Sequence, residues 1–277
     1  MDLALRRFPP VVRIETTNAC NGQCTICPRR AMRRPIRQMD DGLFGRIVDE
    51  CAENGCREVH LHNFGEPLMD PRLAERIRYA KRRGIRRVKI FSNGSLLDQR
   101  WARQLLEAGL DEIKISFDGG TREEFERIRA PLQFDRVLEN VCRLVTFRNE
   151  LGSPMRIRIT CATTANRPET IRVLRPVVDG LLFGKVHNWA GTEMLGPHRA
   201  VWKPCSRLWR TLTVLAGGEV ALCCLDYDGA HRLGRIDAAG SLREIWHSAA
   251  YADVRRRHVE NRQDEIPLCR GCSKAFV

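Results

Sequence analysis

Val11-Val12-Arg13-Ile14-Glu15-Thr16 leads into Cys20-Asn21-Gly22-Gln23-Cys24-Thr25-Ile26-Cys27. The first run is rich in β-branched residues and reads as a strand; the second gathers three thiols in one short loop at that strand's carboxyl end. Three thiolates leave a tetrahedral metal site one ligand short, and the open position on iron is where a small reactant binds. Thiolates are the usual ligands of iron–sulfur clusters, and closely spaced cysteines in a reducing compartment bind metal more often than they form disulfides. A zinc site built from Cys24, Cys27 and a second pair elsewhere is the alternative.

Outward from this loop the strand pattern recurs. Leu43, Phe44, Ile47, Val48 and Cys51 repeat at helical spacing behind Asp40 or Asp41 as cap. Val59 to Asn63 alternates as a strand and runs into Phe64-Gly65-Glu66-Pro67. Asp70-Pro71 opens a helix that Gly84 closes. Ile85 to Ser92 is the next strand, followed by a helix from Asp98, and Ile113 to Phe117 is the fourth, stopped by Asp118-Gly119-Gly120. Thr121 and Glu124 form a capping box, and helix follows over Asp135 to Glu150. Met155 to Cys161 is a fifth strand, Pro168 to Val178 a helix and Phe183 to Trp189 a sixth strand. Strands beginning near residues 11, 57, 85, 111, 155 and 183 predict an α/β fold, a parallel sheet of right-handed crossovers closing into a partial (β/α)6 TIM-like barrel. Ligands of such folds sit at the carboxyl ends of the strands, where the cysteine loop, Gly65-Glu66-Pro67, Asn93 and Ser116 to Gly119 converge.

The length of 277 residues suits a full core with an appendage, and the 12 cysteines favour metal over a disulfide framework. The amino-terminal residues show no apolar signal core and no run approaches a membrane span, so a soluble cytoplasmic protein with no membrane partner is expected. The formal charge of +13 is carried mainly by Arg spread along the chain. Solvated helix faces account for that spread better than a nucleic-acid surface does.

From Gly191 a Gly- and Pro-rich stretch leads to Cys205, two short strands around Gly217-Gly218, Cys223-Cys224, helices near Ser241 to His247 and Tyr251 to His258, and Cys269-Arg270-Gly271-Cys272. The predicted organisation is a barrel over 1–190, a linker over 191–204 and a cysteine-rich domain over 205–277. That tail is too small to fold on burial alone, and a metal centre would supply the missing free energy. Cys51, Cys56, Cys142 and Cys161 fit core positions.

Cys20-x3-Cys24-x2-Cys27 after a first strand resembles the radical S-adenosylmethionine (SAM) superfamily. The resemblance implies that these three cysteines hold a [4Fe-4S] cluster whose fourth iron is chelated by SAM. Gly65-Glu66-Pro67 is similar to the family's glycine–glutamate–proline motif, which receives the methionine ammonium. By the same resemblance Asn93 and Ser116 fall where SAM ribose or carboxylate is contacted, and Arg129 where an arginine pairs with the carboxylate. The family commonly has an aromatic residue at the position of Ile26, lying along the adenine; Trp189 is a substitute for it or plain core. The tail resembles the SPASM/twitch extension, in its short twitch form of β-hairpin plus helix. That likeness implies Cys205, Cys223, Cys269 and Cys272 as ligands of one auxiliary [4Fe-4S] cluster, the spacing Gly218-x4-Cys223 selecting Cys223 over Cys224. A structural zinc quartet is the alternative.

The resemblance further implies reductive cleavage of SAM, driven by an external reductant such as flavodoxin or ferredoxin, to a 5′-deoxyadenosyl radical that abstracts hydrogen from carbon. A fully ligated second cluster leaves no iron for substrate and suits an electron acceptor. The chain most resembles the aminocyclitol (2-deoxy-scyllo-inosamine) dehydrogenases of antibiotic biosynthesis, which implies oxidation of a secondary alcohol in a sugar or aminocyclitol. His187, Glu193, His198 and Arg158 are candidate bases. The positive chain charge counts against a polycationic substrate. Epimerisation with Cys224 as hydrogen donor, peptide modification and a zinc protein that binds nucleic acid are the competing readings.

Overall fold

The computed structural model describes residues 4–161, 166–189, 203–237 and 240–272. In chain order its elements are β1 (Val11–Ile14), α1 (Asp41–Glu53), β2 (Glu58–His60), α2 (Leu73–Arg82), β3 (Arg87–Ser92), α3 (Gln99–Glu107), β4 (Glu112–Ser116), α4 (Arg122–Ile128), α5 (Phe134–Glu150), β5 (Arg156–Cys161), α6 (Arg167–Leu174) and β6 (Gly180–Phe183). The tail adds α7 (Arg207–Arg210), β7 (Thr211–Val214), β8 (Glu219–Ala221), β9 (Arg232–Arg235), α8 (Leu242–Trp246) and α9 (Ala249–Val259). Side-chain caps set several helix starts: Asp40 accepts from the Leu43 amide, Asp98 from that of Trp101, Thr121 from that of Glu124 and Ser241 from that of Glu244. Asp70 accepts from the Arg72 amide, and α2 begins one residue later.

β1 to β6 are parallel, each paired with its sequence neighbour, which is the open barrel the crossover pattern predicts. One face of these strands is apolar: Val12, Ile14, Val59, Val88, Ile90, Ile113, Ile115, Ile157 and Ile159 are all fully buried. The helices cover that face with Ile47, Leu73, Ile77, Leu105, Val141 and Leu144, all without exposed surface. The other face, lining the barrel, carries Arg13, His60, Lys89, Lys114 and Arg158 at alternate positions, so the pleat separates an oily shell from a charged interior.

The sixth strand lies earlier than predicted. It spans Gly180–Phe183, opposite Arg158 to Cys161, and the Gly184 amide makes the last rung to the Cys161 carbonyl. Lys185 to Trp189 make no strand pairing among the described residues. The tail also differs from a hairpin plus helix, because β9 extends the β7–β8 hairpin by a third strand. More consequential is β7, which pairs parallel with β1, making one nine-stranded sheet ordered β6-β5-β4-β3-β2-β1-β7-β8-β9. No helix among the described residues is long and apolar enough to cross a membrane.

Glu15, just past β1, is fully buried. Its carboxylate takes two bonds from the Arg34 guanidinium, each 2.5 Å, and further ones from the Phe64 amide at 3.2 Å and the Ala216 amide at 3.1 Å. Removing one partner strands the other's buried charge, so Glu15→Ala is expected to cost about 3–5 kcal/mol in denaturant unfolding. A loss within the error of the measurement would mean the pair is dispensable.

Candidate active site

The cysteine loop is clamped on both sides. Its Gln23 and Thr25 amides donate to the carbonyls of Ala130 (2.7 Å) and Ile128 (2.9 Å), just after α4. Asn93 donates to Asn21 and Asn21 to Ser95, each at 2.9 Å, which ties the loop to the end of β3. The Gly22 amide points at Cys20 Sγ (3.4 Å), and Arg129 Nη1 lies 3.6 Å from Cys24 Sγ while its guanidinium pairs with the buried Asp118. Burial pushes the Cys20 thiol up to about 11 and raises that of Cys27, so in the absence of metal both favour the protonated form.

The glycine–glutamate–proline turn docks on the segment that delivers the loop. A Cβ on Gly65 would stand 2.2 Å from the Thr17 carbonyl oxygen and 2.8 Å from that of Ala19. This contact leaves room only for hydrogen, and the Glu66 amide then reaches the Ala19 carbonyl at 2.8 Å. The fully buried Glu66 carboxylate accepts from the Ser92 hydroxyl (2.8 Å) and from the amides of Asn93 (2.7 Å) and Leu68 (3.1 Å). Burial pushes this carboxyl up to about 7, against the pull of those donors. Pro67 is buried beneath the turn at the start of a short 3-10 helix and does not line the cavity.

A cavity of about 480 Å³ opens over the barrel. Cys20, Cys24 and Cys27 line it together with Gly65, Glu66, Asn93, Ser116, Arg129 and Ile26. His187 and Trp189, brought there by the chain that leaves β6, and Cys224 from the tail also line it. Trp189 Nε1 donates to the Ile26 carbonyl at 2.8 Å and its ring packs against Phe64, so the aromatic surface missing at Ile26 is supplied beside it. Arg158 lines a separate depression with Arg148, Arg156 and Asp179, near the amino-terminal ends of β5 and β6. Glu193 and His198 lie outside the described residues.

The cysteines of the tail gather behind Cys224. Burial first, then the neighbouring sulfurs of Cys223, Cys272 and Cys205, raise the Cys269 thiol. Arg207 sits among Cys224, Cys223, Cys205 and Cys272, whose charge holds its proton more tightly, and Asn188 donates to the Gly271 carbonyl at 2.6 Å between Cys269 and Cys272. Among the described residues no three His, Cys, Asp or Glu side chains converge on one ion. The Gly22 amide and Arg129 aimed at sulfur, and the charge of Arg207 among the tail cysteines, suit anionic iron–sulfur groups in both sets.

Residues 14–148 match the radical SAM superfamily, and residues 205–273 match SPASM, an iron–sulfur cluster-binding domain. The chain carries a radical SAM domain followed by a SPASM domain. These domains imply a SAM-binding [4Fe-4S] cluster, an auxiliary cluster and SAM itself. Over 135 residues the chain is 37% identical to a GTP 3′,8-cyclase of Chlorobaculum tepidum, a match covering 48% of this chain and 40% of that protein. The chain spans about half the length of the curated relatives it matches. Among solved structures it resembles BtrN in complex with AdoMet and 2-DOIA, with TM-score 0.69, 17% identity and coverage of 98% and 94% of the two chains. It also resembles Streptococcus suis SuiB bound to the precursor peptide SuiA, with TM-score 0.73, 14% identity and coverage of 91% and 67%. At these identities the likeness to solved structures is one of fold.

Several contributors to this radical SAM site carry no motif. Arg13 and Arg207 are single arginines in an Arg-rich chain; strand alternation puts Arg13 on the inner face, but nothing in the sequence indicates that Cys224 lies beside it. His258, fully buried, accepts from the Cys205 amide through Nδ1 (3.4 Å) and faces Cys269 Sγ through Nε2 (3.4 Å). Its sole sequence signal is an apolar helix register. Gly65→Ala tests the close approach that builds the site: overpacking against backbone is expected to cost about 1–3 kcal/mol in denaturant unfolding. The same variant should bind SAM more weakly after anaerobic reconstitution, measured by equilibrium dialysis. Wild-type stability and SAM affinity would show that the turn can shift freely.

Proposed function

We propose that this radical SAM enzyme oxidises a secondary alcohol of a sugar or cyclitol to a ketone, with the tail cluster as electron acceptor. The observation that carries the reading is that one cavity reaches from Cys20, Cys24 and Cys27 to Cys224, whose sequence neighbour belongs to the tail quartet. The proposed cluster ligands are the amino-terminal trio and Cys205, Cys223, Cys269 and Cys272, in a barrel over 1–190 and a SPASM/twitch domain over 205–277. Gly65, Glu66, Pro67, Asn93, Ser116, Arg129 and Ile26 are the proposed SAM-binding residues; Pro67 acts by fixing the turn. BtrN, solved with AdoMet and 2-DOIA, supports a small cyclic substrate because the fold likeness extends over both chains almost entirely.

When bound, the reduced amino-terminal cluster and SAM supply a hydrogen-abstracting radical, and the auxiliary cluster supplies an electron sink. The alcohol then loses one hydrogen atom from carbon, one proton from oxygen and one electron. His187 is the candidate base that lines the cavity and is the proposed proton acceptor. Trp189 and Phe64 close the apolar side and keep water from the reacting carbon. An external low-potential donor, such as flavodoxin or ferredoxin, completes the electron balance.

Cys224 in the cavity wall favours one competing reading, epimerisation with its thiol as hydrogen donor. The experiment is anaerobic incubation of reconstituted enzyme with SAM, reductant and a panel of sugars and cyclitols, followed by mass spectrometry. Oxidation gives a product lighter by the mass of two hydrogen atoms, and Cys224→Ala retains that product. A product of unchanged mass carrying solvent deuterium, lost in Cys224→Ala, would replace oxidation by epimerisation. A separate expectation concerns His258. The bond from the Cys205 amide places the ring proton on Nε2, as a donor to Cys269 sulfur, and such a bond favours the reduced cluster. His258→Phe should therefore move the auxiliary midpoint potential to a more negative value in an EPR-monitored titration, and an unchanged potential would refute the assignment.

A further inference from the structure

We propose that the substrate carries an anionic group, a phosphate ester or a carboxylate, and that Arg13 receives it. This rests on the reading of the cavity as the substrate site. Among the described cavity-lining residues the buried donor atoms without a partner are Arg13 Nε, Arg29 Nε, Asn63 Nδ2 and Arg207 Nη1. Buried donors left unpaired cost free energy, so the occupants of this cavity must bring acceptors.

The cofactors account for part of that demand. The charges felt by Cys20 include Arg29, and those felt by Cys27 include Arg129 and Arg29, while Arg207 stands among the tail sulfurs. Arg129 already has Asp118 as counter-ion. Arg13 is accounted for only in part: it bonds to Cys224 and stands beside His60, its register partner on β2, and His62. No carboxylate among the described residues forms an ion pair with it. The acidic residues Glu15, Glu58 and Glu112 are committed elsewhere, Glu15 to Arg34 at 2.5 Å, Glu58 to Lys89 at 2.8 Å and Glu112 to Arg87 at 3.2 Å and Lys114 at 3.5 Å.

The surroundings are cationic in sum. Burial, reinforced by Lys89 and Arg158, lowers the Lys114 ammonium, and burial together with Arg13 lowers His62. Glu66 is the one carboxylate among the described cavity-lining residues, and its oxygens are taken by Ser92, Asn93 and Leu68. Exposed Lys185 stands at the rim. An amine would meet repulsion here, whereas a phosphate or carboxylate would give the Arg13 guanidinium the planar, charge-assisted partner it lacks.

The test uses anaerobically reconstituted, SAM-loaded enzyme without reductant, so that binding is read apart from turnover. Glucose, glucose 6-phosphate, glucuronate and glucosamine, together with inorganic phosphate and acetate, are titrated calorimetrically into wild type, Arg13→Gln and Arg13→Lys. At least one anion should bind more tightly than its neutral or cationic counterpart, by roughly tenfold to a hundredfold, and Arg13→Gln should erase that advantage. Arg13→Lys should keep part of it, which separates charge recognition from misfolding. Phosphate compounds ahead of carboxylates identify a phosphate ester; the reverse order identifies an acid. Anion binding indifferent to Arg13, absence of anion binding, or preference for glucosamine overturns the proposal. Failure of the oxidation reading shows elsewhere, as absence of a product lighter by two hydrogen atoms when wild type is given reductant.

Discussion

The buried carboxylate of Glu15 is the constraint on which the rest of the structure depends. A fully desolvated charge is costly, and it is tolerated here because one guanidinium and two backbone amides saturate it. Those donors come from three different places: Arg34 from the segment after the cysteine loop, Phe64 from the turn before Gly65-Glu66, and Ala216 from the tail. Arg34 also donates to the Tyr227 carbonyl (2.6 Å), and the Arg33 and Arg34 amides converge on Asp228. A single acidic residue after β1 thus fixes the thiol trio, the glutamate turn and the tail relative to one another. Function needs that rigidity, because a radical must be generated within reach of one carbon and no other.

The parallel pairing of β7 with β1 serves the same end. A tail held by a flexible linker would leave its cysteines wandering over the barrel mouth, whereas four consecutive rungs, from Val11↔Thr211 to Ile14↔Val214, set it in register with the strand that bears the loop. The price is a barrel that cannot close, since the edge of β1 is taken. The interior therefore stays open, and Arg13, Lys89 and Lys114 line it, side chains that a sealed hydrocarbon core would not tolerate.

What the sequence disclosed follows from how local each signal is. Strand starts, helix caps and the cysteine spacing are written within a few residues, and the six parallel strands, the Asp40, Asp98 and Thr121 caps and the placement of the loop could be read directly. β6 was displaced because a run of β-branched and aromatic residues says where a strand is permitted, while its limits depend on where β5 stops. The β1–β7 pairing joins residues about two hundred positions apart and has no local signature. Glu15 and Arg13 have none either: an acid after a strand and an arginine within one are ordinary until their partners are known. Glu66 was legible through its flanking Gly65 and Pro67, whose backbone demands are local, but not the cage of Ser92, Asn93 and Leu68 around it.

The adjacent cysteines show how two chemistries share one strand end. Cys223 is among the sulfurs felt by Cys269, while Cys224 lines the cavity beside Arg13 and Arg207 and packs with Cys272 and Cys223. One peptide unit therefore spans the boundary between the proposed electron sink and the substrate. A substrate radical formed in the cavity would lie close to the proposed quartet, because Cys224 lines the cavity and packs with Cys272 and Cys223. The same adjacency puts a thiol where it could quench that radical, so the outcome depends on which is faster, electron loss toward Cys223 or hydrogen transfer from Cys224.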